Sequence, residues 1–173
     1  MQIAAFDADD LADDTGKAKI TWISKDCLAT KHKMNPTNTT EGGWAASELR
    51  MYLKNTVKAK IPSAVTSLIK DVKKYSDSYV SGSVVANSLS IEDVWIPSAR
   101  EVGATNYETS GVKYDTLFTD YDSRVKSAGT SKSNWWLRSS NDNSYFRIVS
   151  ANGGIIRGNA NETNNGVTLG FCT

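Results

Sequence analysis

The sequence predicts an α+β domain, on three observations. Helical patterns fall in the first half, strand patterns separated by turns fill the last third, and no internal repeat divides the chain. The 173 residues suit one domain over residues 1–173, alone or as the C-terminal part of a longer protein. At that length folding buries roughly two thirds of the unfolded surface. Mean hydropathy is low, at −0.41. Five Trp and seven Tyr offset this, because each aromatic ring buries a large area.

The first stretch, FDADDLADDTG, carries Asp7, Asp9, Asp10, Asp13 and Asp14. It lacks the glycine and closing glutamate of an EF-hand, so it reads as a solvated acidic turn. KITWIS then alternates as a strand, with Ile20, Trp22 and Ser24 on one face. Asn35-Pro36 and Gly42-Gly43 bound a loop. In WAASELRMYLKNTV, residues Ala45, Leu49, Tyr52, Leu53 and Val57 form one apolar helical stripe. IPSAVTSLIKDV predicts a second, shorter helix, with Pro62 in its first turn and Val65, Leu68 and Ile69 buried. SVVANSLSIEDVWIP reads as extended. Ser98 and Glu101 match a capping box, which predicts a single turn of helix ending near Gly103. A long connection follows, with one short helix expected around Tyr114 to Arg124; connections of this length in compact domains are functional or peripheral. NWWLRS and SYFRIVSA are strands, the second with Tyr145, Arg147 and Val149 on one face. Asn152-Gly153-Gly154 marks a hairpin turn, IIRGNA returns, and VTLGFCT closes as a strand.

Charge excludes some functions. Twenty basic residues against 19 acidic ones give no field for phosphates, so no nucleic-acid partner is expected. No apolar run approaches a membrane span, so no membrane insertion is expected, and no signal peptide is visible. His32, the one histidine, lies between two lysines and is expected to be exposed. With no nucleophile elbow, Walker loop or dinucleotide fingerprint, no catalytic residue, metal ligand or cofactor is assigned. The acidic pairs Glu92/Asp93 and Asp120/Asp122 read as surface features. Cys27 and Cys172 are either two buried thiols or one bridge between an early strand and the last.

Asparagine points elsewhere. The chain has thirteen, and seven of them lie between Asn141 and Asn165. Asn is poor in strand interiors, good in turns, and offers both donor and acceptor. Enrichment in Asn, Ser, Gly and Tyr is the composition of adaptable binding loops.

The ordered segments GGWAASELRMYL, IPSAV, WIPSAREVG, WWLRSS, YFRIVSANGG and GVTLGFC resemble a domain family of unknown function from gut bacteria and their phages. That family is similar to the C-type-lectin-like fold and to variable proteins of diversity-generating retroelements. The resemblance implies an early strand, two helices and a late antiparallel sheet whose last strand returns beside the first. It implies that Trp44, Trp135, Trp136 and Leu137 are core anchors, and it brings Cys27 and Cys172 near one another. No Glu-Pro-Asn or Gln-Pro-Asp stands in the chain, so calcium-dependent sugar binding is not implied. The oxidase branch of the fold needs a cysteine pair that is missing here.

The resemblance and the Asn-rich segment together give the expected function. The chain is read as a non-enzymatic recognition domain on a virion or bacterial cell surface, binding a protein or glycan receptor on a host or neighbouring cell. Its ligand face is expected at Asn141, Asn143, Tyr145, Arg147, Asn152, Arg157, Asn159, Asn161 and Asn164. The alternative is a decoration or assembly module of a phage tail or surface protein, oligomeric within a larger assembly.

Overall fold

The computed structural model describes residues 1–109 and 111–173. Among these residues ten strands pair into four small antiparallel sheets, and about 13% are helical. This overturns the expected α+β, C-type-lectin-like arrangement of two early helices and a late sheet. The chain is mostly β from its start.

The first sheet holds β1 (Gln2–Phe6), β2 (Ile20–Ile23) and β10 (Gly170–Cys172) in the order β1-β2-β10. The last strand therefore lies beside β2, with Trp22 opposite Phe171 and Thr21 opposite Cys172. The chain's first strand, β1, occupies the other edge of β2.

Among the described residues the longest helical run covers residues 48–60. It starts as α1 (Glu48–Tyr52), widens to a π-helical turn (Leu53–Val57) and tightens to a 3₁₀ turn (Lys58–Lys60). Ser47 caps it, its hydroxyl accepting from Arg50 N at 3.2 Å. Leu49 and Leu53 are fully buried. Arg50, Lys54 and Lys58, four apart, dock on the acids Glu92 and Asp93 at 2.5–3.3 Å. His32 stacks on Tyr52 beside this run at 4.1 Å, half-buried where exposure was expected.

The predicted second helix is a single turn, α2 (Ser63–Thr66), and Leu68 is 57% exposed. Two causes are visible. The Thr66 and Ser67 hydroxyls donate back to the carbonyls of Ser63 and Ala64 at 3.2 Å, competing with helix continuation. Lys70 N then donates to Cys172 O at 3.0 Å, which draws the chain into extended form. A long hairpin follows, β3 (Val72–Val80) and β4 (Ser83–Glu92). The helix expected near Tyr114 to Arg124 is one 3₁₀ turn, Asp122–Arg124.

A small hairpin, β5 (Lys126–Ala128) and β6 (Ser131–Ser133), leads into the last sheet. That sheet holds β7 (Trp135–Ser140), β8 (Tyr145–Val149) and β9 (Ile155–Asn159) in sequence order. All six residues of β7 are buried. Strand alternation splits them between two cores. Trp136 packs with Trp44, Leu49, Leu53, Trp95 and Phe146. Trp135 and Leu137 pack with Ile23, Val102, Phe118 and Val149.

Between these cores the interior is ionic. On β3 the inward positions are Val72, Lys74, Ser76 and Ser78. Lys74 Nζ lies 2.5 Å from Asp9 Oδ1 and 3.1 Å from Glu101 Oε1, over the Trp95 ring at 3.9 Å. Arg138, on β7, forks onto both oxygens of Glu101 at 2.6 and 2.8 Å, and donates to the carbonyls of Ile96 and Tyr75. The predicted capping box closes the cluster: Ser98 N donates to Glu101 Oε2 (3.0 Å) and Glu101 N to Ser98 Oγ (3.2 Å). These residues form a turn instead of the helical turn expected.

The acidic run is dispersed over separate partners. Asp7 pairs with Lys19, Asp10 with Lys17, Asp14 with Lys73 and Asp9 with Lys74. Both cysteines are free thiols. Cys27 sits against Gly166, whereas Cys172 sits against Thr21 and Asp9.

Candidate functional site

The outer face of β8 and β9 carries the site. In the register of the two strands Tyr145 opposes Asn159, Arg147 opposes Arg157 and Val149 opposes Ile155. Residues two apart share a face, so both arginines and Tyr145 project from the same side. Like charges directly opposite one another are destabilising, so this pairing asks for a reason. Burial, joined by the charge of Arg157, lowers the pKa of Arg147 below the usual guanidinium range.

Each arginine rests on a tyrosine. Arg157 lies 4.7 Å from the Tyr145 ring centre and Arg147 lies 4.5 Å from that of Tyr107. A third pair stands beside them, Arg124 over Tyr121 at 5.3 Å. Among the described residues, none of these three guanidiniums has a carboxylate within ion-pair distance. A cavity of about 250 Å³ adjoins them, lined by Gly103, Tyr107, Tyr121, Arg124, Gly154 and Ile155 among others. Ile155 shares the face of Arg157, so the cavity lies at the turn end of that face.

The turn is held by its glycine. Gly153 adopts φ +82, and a Cβ there would stand 1.8 Å from Tyr121 O. Ser150 closes the turn, accepting from Gly153 N at 2.9 Å while its own N–H donates to Gly154 O at 2.7 Å. The backbone of Tyr121 therefore lies flush on the hairpin, which fixes where its ring and Arg124 stand.

With this geometry in view, the sequence pattern described as Domain of unknown function (DUF6273) matches residues 19–172. The chain belongs to that family. No curated protein and no solved structure matches it.

The DUF6273 domain gathers some of the predicted site residues and separates others. Tyr145, Arg147, Arg157 and Asn159 share the face. Asn159 is tied down there, accepting from Asn38 Nδ2 at 3.1 Å and donating to Glu162 Oε1 at 3.0 Å. Asn141 donates to Asp142 Oδ2 at 3.0 Å in the β7–β8 turn, and Asn143 is exposed beside it. Asn161 and Asn164 are exposed in the loop after β9, at the same end as that turn. Asn152 is exposed at the opposite end, in the β8–β9 turn. Sequence reasoning missed Tyr107, Tyr121 and Arg124. Their one signal was the length of the connection that carries them.

Asp77, whose charge acts on Arg147, lies next to a second acid, Glu108. Glu108 is buried and accepts from Asp77 N (2.5 Å), Arg100 N (3.0 Å) and Ser139 Oγ (2.9 Å). Asp77 Oδ1 has no hydrogen-bond partner. Burial and the charge of Glu108 push Asp77 up to about 6. An acid whose folded pKa is raised binds its proton more tightly in the native state. Its contribution is favourable at low pH and is lost as pH rises from about 4 to about 6. Asp77→Asn removes this titration. Urea midpoints should coincide for the two proteins at pH 4, and the variant should be more stable by about 1 kcal/mol at pH 7, the gain being limited by solvent screening. Equal midpoints at both pH values would contradict the raised pKa.

Proposed function

We propose that this DUF6273 domain is a recognition module whose β8–β9 face binds an anionic group of a surface receptor. The carrying observation is the set of three arginines on one side of the molecule, each supported by a tyrosine ring and, among the described residues, none with a carboxylate within ion-pair distance. A guanidinium presents a planar fork of donors that matches carboxylate and sulfate oxygens. Tyr and Arg dominate binding hot spots because they combine area, rigidity and polar reach. The adjoining cavity has room for a single ring or a comparable side group. The exposed asparagines at the rim, Asn143, Asn152, Asn161 and Asn164, supply adaptable hydrogen bonds around this centre.

The test is calorimetric titration with acidic oligosaccharides, sulfated and uronic, beside their neutral counterparts. Arg147→Ala and the double substitution Tyr145→Ala/Arg157→Ala should each weaken binding by about 2 kcal/mol or more, with the thermal midpoint nearly unchanged. Binding should fall as salt rises. Equal binding of neutral and acidic ligands, or a stability loss as large as the binding loss, would defeat this reading.

One observation favours a second reading, an assembly module. Val84, Val85, Leu89 and Ile91 on β4 are each 40–49% exposed. Concentration-dependent self-association on sizing, removed by Leu89→Lys, would support it.

A further inference from the structure

The contact of Lys74 with Asp9 holds chemistry that the binding face does not use. An amine and a carboxylic acid do not condense in water, because one is protonated, the other ionised, and solvent opposes the loss of water. Here both side chains are 1% exposed and Nζ stands 2.5 Å from Oδ1. Holding two groups this close in a buried site replaces a bimolecular encounter with an intramolecular one.

We propose that Lys74 and Asp9 join through an isopeptide bond, Nζ to Cγ, formed by the folded domain itself. The surroundings supply the remaining requirements. Arg138 engages both oxygens of Glu101 and holds that carboxyl ionised, down to about 2; burial opposes this, but the charges of Arg138 and Lys74 outweigh it. Asp9 is then the counter-ion of Lys74. Condensation removes one positive and one negative charge together and leaves the Glu101–Arg138 pair intact. It also removes a buried ion pair, whose desolvation is costly.

The proton path is built in. Tyr114 OH lies 3.1 and 3.0 Å from the two Asp9 oxygens and 2.5 Å from Lys74 Nζ. Burial, with the charges of Glu101 and Asp9, raises this phenol well above its ordinary range, so it keeps a proton to give. Thr21 Oγ1 donates to Asp9 Oδ2 at 2.6 Å and polarises the carboxyl. Glu101 Oε1, 3.1 Å from Nζ, accepts a proton from the nitrogen.

The step balances. The Lys74 ammonium passes a proton to Asp9, and the free amine adds to Cγ to form the C–N bond. One C–O bond then breaks, with Tyr114 protonating the departing oxygen and Glu101 returning the nitrogen's proton to Tyr114. One ammonium and one carboxylate become one amide and one water. A cavity of about 230 Å³ bordered by Asp9, Lys74 and Glu101 receives that water.

Intact mass spectrometry of the unmutated chain under denaturing conditions tests this. The expected mass is one water below that of the sequence, and a tryptic digest should give one branched peptide joining the segments of Asp9 and Lys74. Lys74→Arg and Asp9→Ala should both restore the full sequence mass. A full mass for the unmutated chain overturns the proposal, and so does a water loss that maps to a linear peptide.

Discussion

Arg138→Met should lower stability by about 3–5 kcal/mol, because it leaves the buried Glu101 charged and without its bidentate partner. A domain of this size has roughly 5–15 kcal/mol in total, so the variant sits near the edge of unfolding. The size of the effect follows from the accounting of hydrogen bonds. Arg138 is fully buried and supplies four donor contacts, two to Glu101 and one each to the carbonyls of Ile96 and Tyr75. Arg138→Lys should recover little, since a point charge cannot serve four acceptors in one plane. Arg138→Met combined with Glu101→Leu should cost less than the sum of the two single changes, because the second removes the charge that the first strands. Urea denaturation of the three variants measures this. Additive losses would mean that the two residues act separately.

Gly153→Ala should cost about 3 kcal/mol, from a strained left-handed backbone and an impossible approach to Tyr121 O. The neighbouring glycine is the control. A Cβ on Gly154 would meet nothing closer than Ser150 Oγ at 3.5 Å, so Gly154→Ala should stay within about 0.5 kcal/mol of the parent. The same pair separates stability from recognition. Moving Tyr121 off the hairpin also moves Arg124, so Gly153→Ala should weaken acidic-ligand binding at temperatures where the variant remains folded. Unchanged binding would remove Tyr121 and Arg124 from the face.

Much of the local structure was legible. KITWIS and SYFRIVSA are strands with the alternation that revealed them, NWWLRS is an aromatic-rich strand buried on both faces, and Asn152-Gly153 marks the turn that Gly153 makes. The first helix and the Ser98–Glu101 pair were legible for the same kind of reason. The β3 strand was not. Its buried side is Lys74, Ser76 and Ser78, so the hydrophobic alternation that reveals a strand is missing where the interior is ionic. Leu68 and Ile69 imitated a helical stripe, while the Ser and Thr around them ended the helix after one turn. The fold class failed on these two segments. In the candidate site, Tyr145 and Arg147 could be placed on one face by strand period alone, whereas Arg157 joins them through the hairpin register. Tyr107, Tyr121 and Arg124 reach it from an irregular connection, and no period links them to it.

The position of β2 between β1 and β10 sets a timetable for synthesis. Thr21 and Cys172, which face each other across that sheet, are 151 positions apart. A ribosome adding roughly 5–20 residues per second leaves β2 with one open edge for on the order of ten seconds or longer. Until Cys172 leaves the exit tunnel, Trp22 has no Phe171 opposite it and Lys70 has no carbonyl to bind. The nascent chain therefore completes its first sheet last, and the open edge is exposed to other strands throughout that interval.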